Sequence, residues 1–102
     1  MATVVLSKSD LVDSQMRIVE ASPLLKLAVI RVGDRVAAIN NRCPHRGGSF
    51  GAGTFDGTRI FCPLHHFSVD PWTGIGTAGK PVQKFPVVVN GDSISITVPD
   101  PK

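Results

Sequence analysis

The residues able to do chemistry are concentrated in one short stretch. The chain holds two cysteines and three histidines, and all five fall between Cys43 and His66. Cys43-Pro44-His45 supplies one pair and Cys62-Pro63-Leu64-His65 a second, with His66 next in line. The spacing reads C-x-H-x16-C-x2-H. Each cysteine is followed by proline, which fixes φ and donates no N–H, so the chain is stiff just behind each sulfur. Short spacing lets two side chains of one turn reach a common centre. Thiolate and imidazole are ligands that soft and borderline metals prefer.

Three chemistries fit such a set. A Cys43–Cys62 disulfide leaves the histidines and the surrounding glycines without a role, and a reducing compartment disfavours it. A structural zinc site accepts two Cys and two His, but zinc modules usually place like ligands in one knuckle, whereas each knuckle here mixes Cys and His. A [2Fe–2S] cluster with two cysteines on one iron and two histidines on the other matches the mixed pairs.

Both ligand pairs need elements to carry them, and strand signals dominate the sequence. Leu25, Leu27 and Val29 alternate with Lys26, Ala28 and Ile30. Ile94, Ile96 and Val98 alternate with Ser93, Ser95 and Thr97, the pattern of a half-buried strand. Val87-Val88-Val89 is a β-branched run of the kind found in covered strands. Gly33-Asp34, Asp56-Gly57 and Asn90-Gly91-Asp92 supply hairpin turns. Eight prolines and ten glycines leave little room for a long helix. A short one near residues 7–12, capped by Ser7 or Ser9, is all that the pattern allows. The fold expected is all-β, an antiparallel sandwich or small barrel forming one domain over 1–102. Glycines crowd the region from about 41 to 80, which reads as a subdomain of loops built to hold something.

With its flanks, CPHRGG…CPLH resembles the cluster-binding signature of Rieske [2Fe–2S] ferredoxins. Asn41-Arg42 stands where the family has a short polar approach, and Val69-Asp70-Pro71-Trp72-Thr73-Gly74 is similar to the family's FD-x-x-TG turn. The likeness runs from Met16 to Val98. It implies antiparallel sheets with one [2Fe–2S] cluster at the tip of a two-loop subdomain. It implies Cys43 and Cys62 as ligands of an inner iron, His45 and His65 as ligands of an outer iron near solvent, and Pro81 in a third loop over the cluster. Three positions depart from the high-potential members. The extra cysteine of each loop is replaced near Gly48 and at Leu64. The serine and tyrosine that follow the second histidine are replaced by Phe67 and Val69, neither of which donates a hydrogen bond. His66 stands where glycine is common, which leaves it as the alternative ligand in place of His65. Backbone N–H groups from Arg46 to Gly48 and from His66 to Ser68 remain as expected donors to sulfur. The expected reduction potential is at the low end of the family range, about −150 mV.

With four ligands filling both irons, no coordination position is left for a substrate, so the resemblance implies an electron carrier and not an enzyme. No Ser/His/Asp set is available beside these histidines, and no phosphate-binding loop opens a helix. The implied partners are a flavin-dependent ferredoxin reductase and a terminal oxygenase of the ring-hydroxylating dioxygenase type, or else the large subunit of an assimilatory nitrite reductase. A zinc-stabilised interaction module is the reading from a different class. The expected docking surface is the cluster tip, with Arg46, His66, Trp72 and Lys80 around the histidines. The net charge of +3 is spread over the chain without a basic block, which argues against nucleic acid. No apolar run approaches the length needed to cross a membrane, and the N-terminus lacks a signal-peptide pattern. A cytoplasmic monomer is expected.

Overall fold

The computed structural model describes residues 2–23, 25–42, 49–63 and 67–99. Among these residues ten strands follow one another: β1 (Ala2–Ser7), β2 (Met16–Ser22), β3 (Leu25–Val32), β4 (Arg35–Asn40), β5 (Thr54–Phe55), β6 (Ile60–Phe61), β7 (Ser68–Val69), β8 (Lys84–Phe85), β9 (Val87–Asn90) and β10 (Ser93–Val98). They make three sheets of order β1-β10-β9, β2-β3-β4-β8 and β5-β6-β7, and every strand pair is antiparallel.

The four-stranded sheet is the middle layer, and its sequence shows why. Successive side chains of a strand point to opposite faces. In β3, Leu27 and Val29 pack with Ile94, Ile96 and Val98 of β10, whereas Ala28 and Ile30 pack with Ile60 and Val69 of the small sheet. Ala38 and Ile39 of β4 divide in the same way. Both faces of the sheet are therefore dry, which explains four consecutive buried residues from Leu27 to Ile30. The alternation seen in the sequence is real, but each of its two rows meets its own core.

The turns are made by the expected residues. Gly33, at φ +60°, joins β3 to β4, where a residue without Cβ is favoured. Asp56 Oδ1 accepts from the amides of Thr58 and Arg59 and from the Thr58 hydroxyl, closing the turn before β6. These donors, Arg59 first, hold its carboxyl below the ordinary value.

Two expectations need correction. Residues 7–12 contain only a 3₁₀ turn over Lys8–Asp10, and Ser7 makes no side-chain cap. Ser9 instead reaches Asp92 across the fold, through its amide at 2.9 Å and its hydroxyl at 3.2 Å. The valine run is not covered on both sides, since Val88 is 64% exposed. β9 is an edge strand, so β-branched composition marked the strand without revealing its wet face. Among the described residues no helix is long and apolar enough to cross a membrane.

Candidate metal centre

The first cysteine–histidine loop leaves the middle sheet at the end of β4. Its two arms are tied just below it. Arg42 and Ser49 form an antiparallel bridge, and the Phe50 amide donates to the Asn41 carbonyl at 2.8 Å. Asn41, only 7% exposed, completes the closure with its side chain. Its Nδ2 donates to Ser49 Oγ at 2.8 Å, and its Oδ1 accepts from the Gly51 amide at 2.7 Å. The Asn41 amide donates to the Lys26 carbonyl, which fixes this base to β3.

The second loop is the connection of a hairpin. Phe61 pairs with Ser68 in β6 and β7, and the Cys62 amide donates to the Phe67 carbonyl at 2.8 Å. Cys62 is 4% exposed and packs with Ile30, Ile39, Phe50 and Val82. Ser68 is the polar hub of this base. Arg59 donates to its hydroxyl at 2.9 Å and to its carbonyl at 3.1 Å, and the Ser68 amide donates to Thr77 Oγ1 at 2.9 Å. That amide was expected to serve a cluster sulfur; it is engaged by Thr77 instead.

The two bases touch. Phe50 and Phe67, each just beyond its loop, stand 6.2 Å apart between ring centroids at a tilt of 45°. A Cβ at Gly53 would overlap the Phe61 carbonyl oxygen, so the returning arm of the first loop reaches β6 only as glycine. A third segment closes over the second base. Ile75 bridges Pro81, Gly76 donates to the Lys80 carbonyl at 2.7 Å, and a Cβ at Gly76 would collide with the Phe67 ring. Pro81 is exposed and shares a cleft of about 220 Å³ with Arg42, Asn40 and Gln83. It lies beside the root of the first loop.

Of the expected ligands, Cys62 is described and lies in an apolar surround. Cys43, His45 and His65 lie outside the described residues, as do Arg46 and His66. Trp72 is displaced from its expected position at the tip. Its ring lies 4.1 Å beneath the Arg35 guanidinium, against the first residue of β4, in a cleft of about 470 Å³ shared with Lys84, Phe85 and Val87. The first loop leaves from the other end of that strand, about 17 Å away at the usual rise per residue. The Asp70 side chain accepts from the Trp72 amide and turns the chain at this point. Sequence reasoning placed Asn41 in the approach to the first loop and gave the Ser68 amide a different role, and it missed Arg59 and Thr77 as anchors. Arg59 offered only its polarity near the second motif, and Thr77, far along the chain, offered no signal.

The Rieske [2Fe–2S] domain model matches residues 1–89. This chain belongs to the Rieske [2Fe–2S] domain family. The ferredoxin subunit of 3-phenylpropionate/cinnamic acid dioxygenase from Escherichia coli (strain K12) is 32% identical over 96 residues, covering 90% of this chain and 89% of its own. The ferredoxin of carbazole 1,9a-dioxygenase from Nocardioides aromaticivorans IC177 superposes with a TM-score of 0.83 at 31% identity, covering 94% of this chain and 97% of that one. A nitrite reductase small subunit from Mycobacterium tuberculosis, at 18% identity and a TM-score of 0.75, covers 94% of this chain and 96% of its own and shares the fold.

The Rieske domain's cofactor is a [2Fe–2S] cluster, and the residues present fit it. The motif offers two thiols and two imidazoles, the donor set of this cluster type. Cys62 is buried against aliphatic and aromatic side chains, which excludes water from the sulfur side. Two separately pinned loop bases in direct contact supply the paired supports that a two-iron group needs. Such a cluster supplies one-electron reduction and oxidation. The chain's own part is to hold the ligands, keep the inner side dry and withhold polar side chains at Phe67 and Val69, both buried and apolar.

Proposed function

We propose that this Rieske domain shuttles single electrons from a flavin-dependent ferredoxin reductase to a terminal oxygenase, with Cys43, His45, Cys62 and His65 as its ligands. The observation that carries the ligand assignment is the pair of contacting loop bases, with Cys62 buried at the root of the second. The dioxygenase ferredoxin subunits among its relatives, at about a third identity over nearly the full length, support the partner class. So does the structural likeness, at 31% identity and a TM-score of 0.83, to a ferredoxin solved in complex with the oxygenase of carbazole 1,9a-dioxygenase. Two ferric ions, two sulfides and two thiolates sum to zero charge with neutral imidazoles, and one electron makes the total −1. Four protein ligands leave no open position for substrate, so the chemistry on a substrate belongs to the partner. The exit for the electron is the tip, where His45 and His65 face solvent in this reading.

The experiment is a visible and EPR spectrum of the purified protein, followed by reduction with NADH and a dioxygenase-type ferredoxin reductase. A red-brown protein with a rhombic reduced signal, reoxidised by a ring-hydroxylating oxygenase, is expected. Cys62→Ser and His65→Ala lose that spectrum, and His66→Ala keeps it. A colourless protein holding zinc overturns the reading. Loss of the spectrum in His66→Ala with retention in His65→Ala overturns the ligand assignment. Reoxidation by an assimilatory nitrite reductase large subunit and not by the oxygenase assigns the carrier to that system.

A further inference from the structure

We propose that Thr77 is a positioning residue for the cluster's second loop, and that it holds the reduction potential down by sequestering the Ser68 amide. This rests on the cluster assignment above. Ser68 stands three residues beyond His65 and is paired with Phe61 at the root of the loop. Its amide donates to Thr77 Oγ1 at 2.9 Å, and the Thr77 hydroxyl in turn points back to the Ser68 carbonyl at 3.3 Å. The two hydroxyls lie 3.4 Å apart, and the Arg59 guanidinium grips Ser68 from the other side at 2.9 and 3.1 Å. Ser68 is 8% exposed, whereas Thr77 is exposed and Arg59 half-buried, so the contact stands where a buried loop root meets the surface. Thr77 comes from the third segment, whose Gly76 is pressed against the Phe67 ring. One threonine thus joins the covering segment to the loop root and satisfies the backbone donor nearest to it.

The sign follows from the charge change. Reduction takes the cluster from neutral to −1, and any N–H or water dipole that gains access to it favours the reduced form. With the Thr77 hydroxyl gone, the Ser68 amide loses its acceptor. A donor on a buried residue is costly to leave without a partner, so the loop relaxes or water enters from the exposed Thr77 side to satisfy it. Either response raises the potential and loosens the cluster. Thr77 acts through Ser68 and the loop and does not itself touch the cluster.

The test uses the cluster-loaded protein and three readouts: the midpoint potential from a spectroelectrochemical titration, the EPR g-values of the reduced form, and the half-life of visible absorbance in excess chelator. Thr77→Val is expected to shift the reduction equilibrium about threefold toward the reduced form, which is about 28 mV upward at 59 mV per decade. It also alters the g-values and shortens the half-life several-fold. Thr77→Ser restores all three, and Thr3→Val on the remote exposed strand changes none. A Thr77→Val protein with wild-type potential and g-values, even with a lowered melting temperature, shows a merely structural role and overturns the proposal. If that variant does not fold, Thr77→Ala, which also removes the Oγ1 acceptor of the Ser68 amide, carries the same test, and an unchanged potential there overturns it equally. A wild-type protein without the iron–sulfur spectrum sinks the cluster assignment itself, an outcome distinct from both.

Discussion

The contact between Phe50 and Phe67 joins the two loop bases and can be tested by a double-mutant cycle. Phe50 is fully buried and Phe67 nearly so, and both sit in the core cluster that contains Cys62. Each change to leucine keeps most of the volume and removes the ring, which costs under about 1.5 kcal/mol in a tolerant core. A tilted pair at 6.2 Å contributes about 0.5–1.5 kcal/mol beyond its buried area. The double variant is therefore expected to be less destabilised than the sum of the singles by about that amount. Phe50→Ala is the severe case, at about 3–5 kcal/mol, because it opens a cavity at a fully buried position. Against a total stability of about 5–15 kcal/mol, this leaves the cluster-free domain marginal. Urea unfolding of chelator-stripped protein gives the four stabilities, and loss of visible absorbance on heating follows the loaded forms. Additive single effects, within about 0.3 kcal/mol, would refute the idea that these rings couple the two bases.

Three further outcomes follow. Asn41→Ala leaves the Gly51 amide and Ser49 hydroxyl without their partners, so a loss of about 1–3 kcal/mol and faster cluster release are expected, with Asn41→Asp milder because the acceptor for Gly51 remains; equal losses in both variants would count against this closure. The midpoint potential is expected at about −150 mV, and Val69→Tyr, which offers a hydroxyl donor, moves it upward; a wild-type value clearly above zero would contradict the apolar surround. The Asp56 carboxyl titrates below its ordinary 3.8 because Arg59 and Thr58 donate to it, so its contribution is present above that value and is lost as pH falls through the lower folded value. Melting curves from pH 5 to pH 3 should show the gap between wild type and Asp56→Asn narrowing, and a pH-independent gap would exclude the carboxylate.

Strands and turns were legible because their causes are local. Ser93 to Val98 alternate, and Gly33 supplies a left-handed turn; both facts survive without knowledge of the rest of the chain. The three-layer arrangement was not legible from the same residues. Leu27 to Ile30 show two apolar rows, but whether one or both rows are covered depends on sheets that come later in the sequence. Val87 to Val89 failed for the converse reason, since nothing local tells an edge strand from a covered one. Trp72 illustrates the limit for the site. Its motif places it near the ligands in sequence, yet the turn at Asp70 carries it back along β4 to Arg35. The anchors at Ser68 and Thr77 lie nine residues apart with no periodicity between them, so only the folded chain brings them together.

The two loop bases are closed by different chemistries. At the first, a neutral amide side chain both donates and accepts, and Asn41 satisfies two backbone-proximal groups without adding charge. At the second, a guanidinium takes part, but it binds Ser68 on the side of the hairpin away from the core cluster, where Arg59 stays half-exposed. Among the described residues the buried polar side chains are Asn41 and Ser68, and neither is ionised. A formal charge buried there would shift the energy of a group that itself changes by one charge, whereas a neutral dipole shifts it less. The hydrogen-bonded closures are therefore centred on neutral buried side chains, with the guanidinium at their edge, and the aromatic contact lies in the interior. This division lets the loops be held firmly while the environment of the sulfur stays apolar, which is the condition for a low and stable potential.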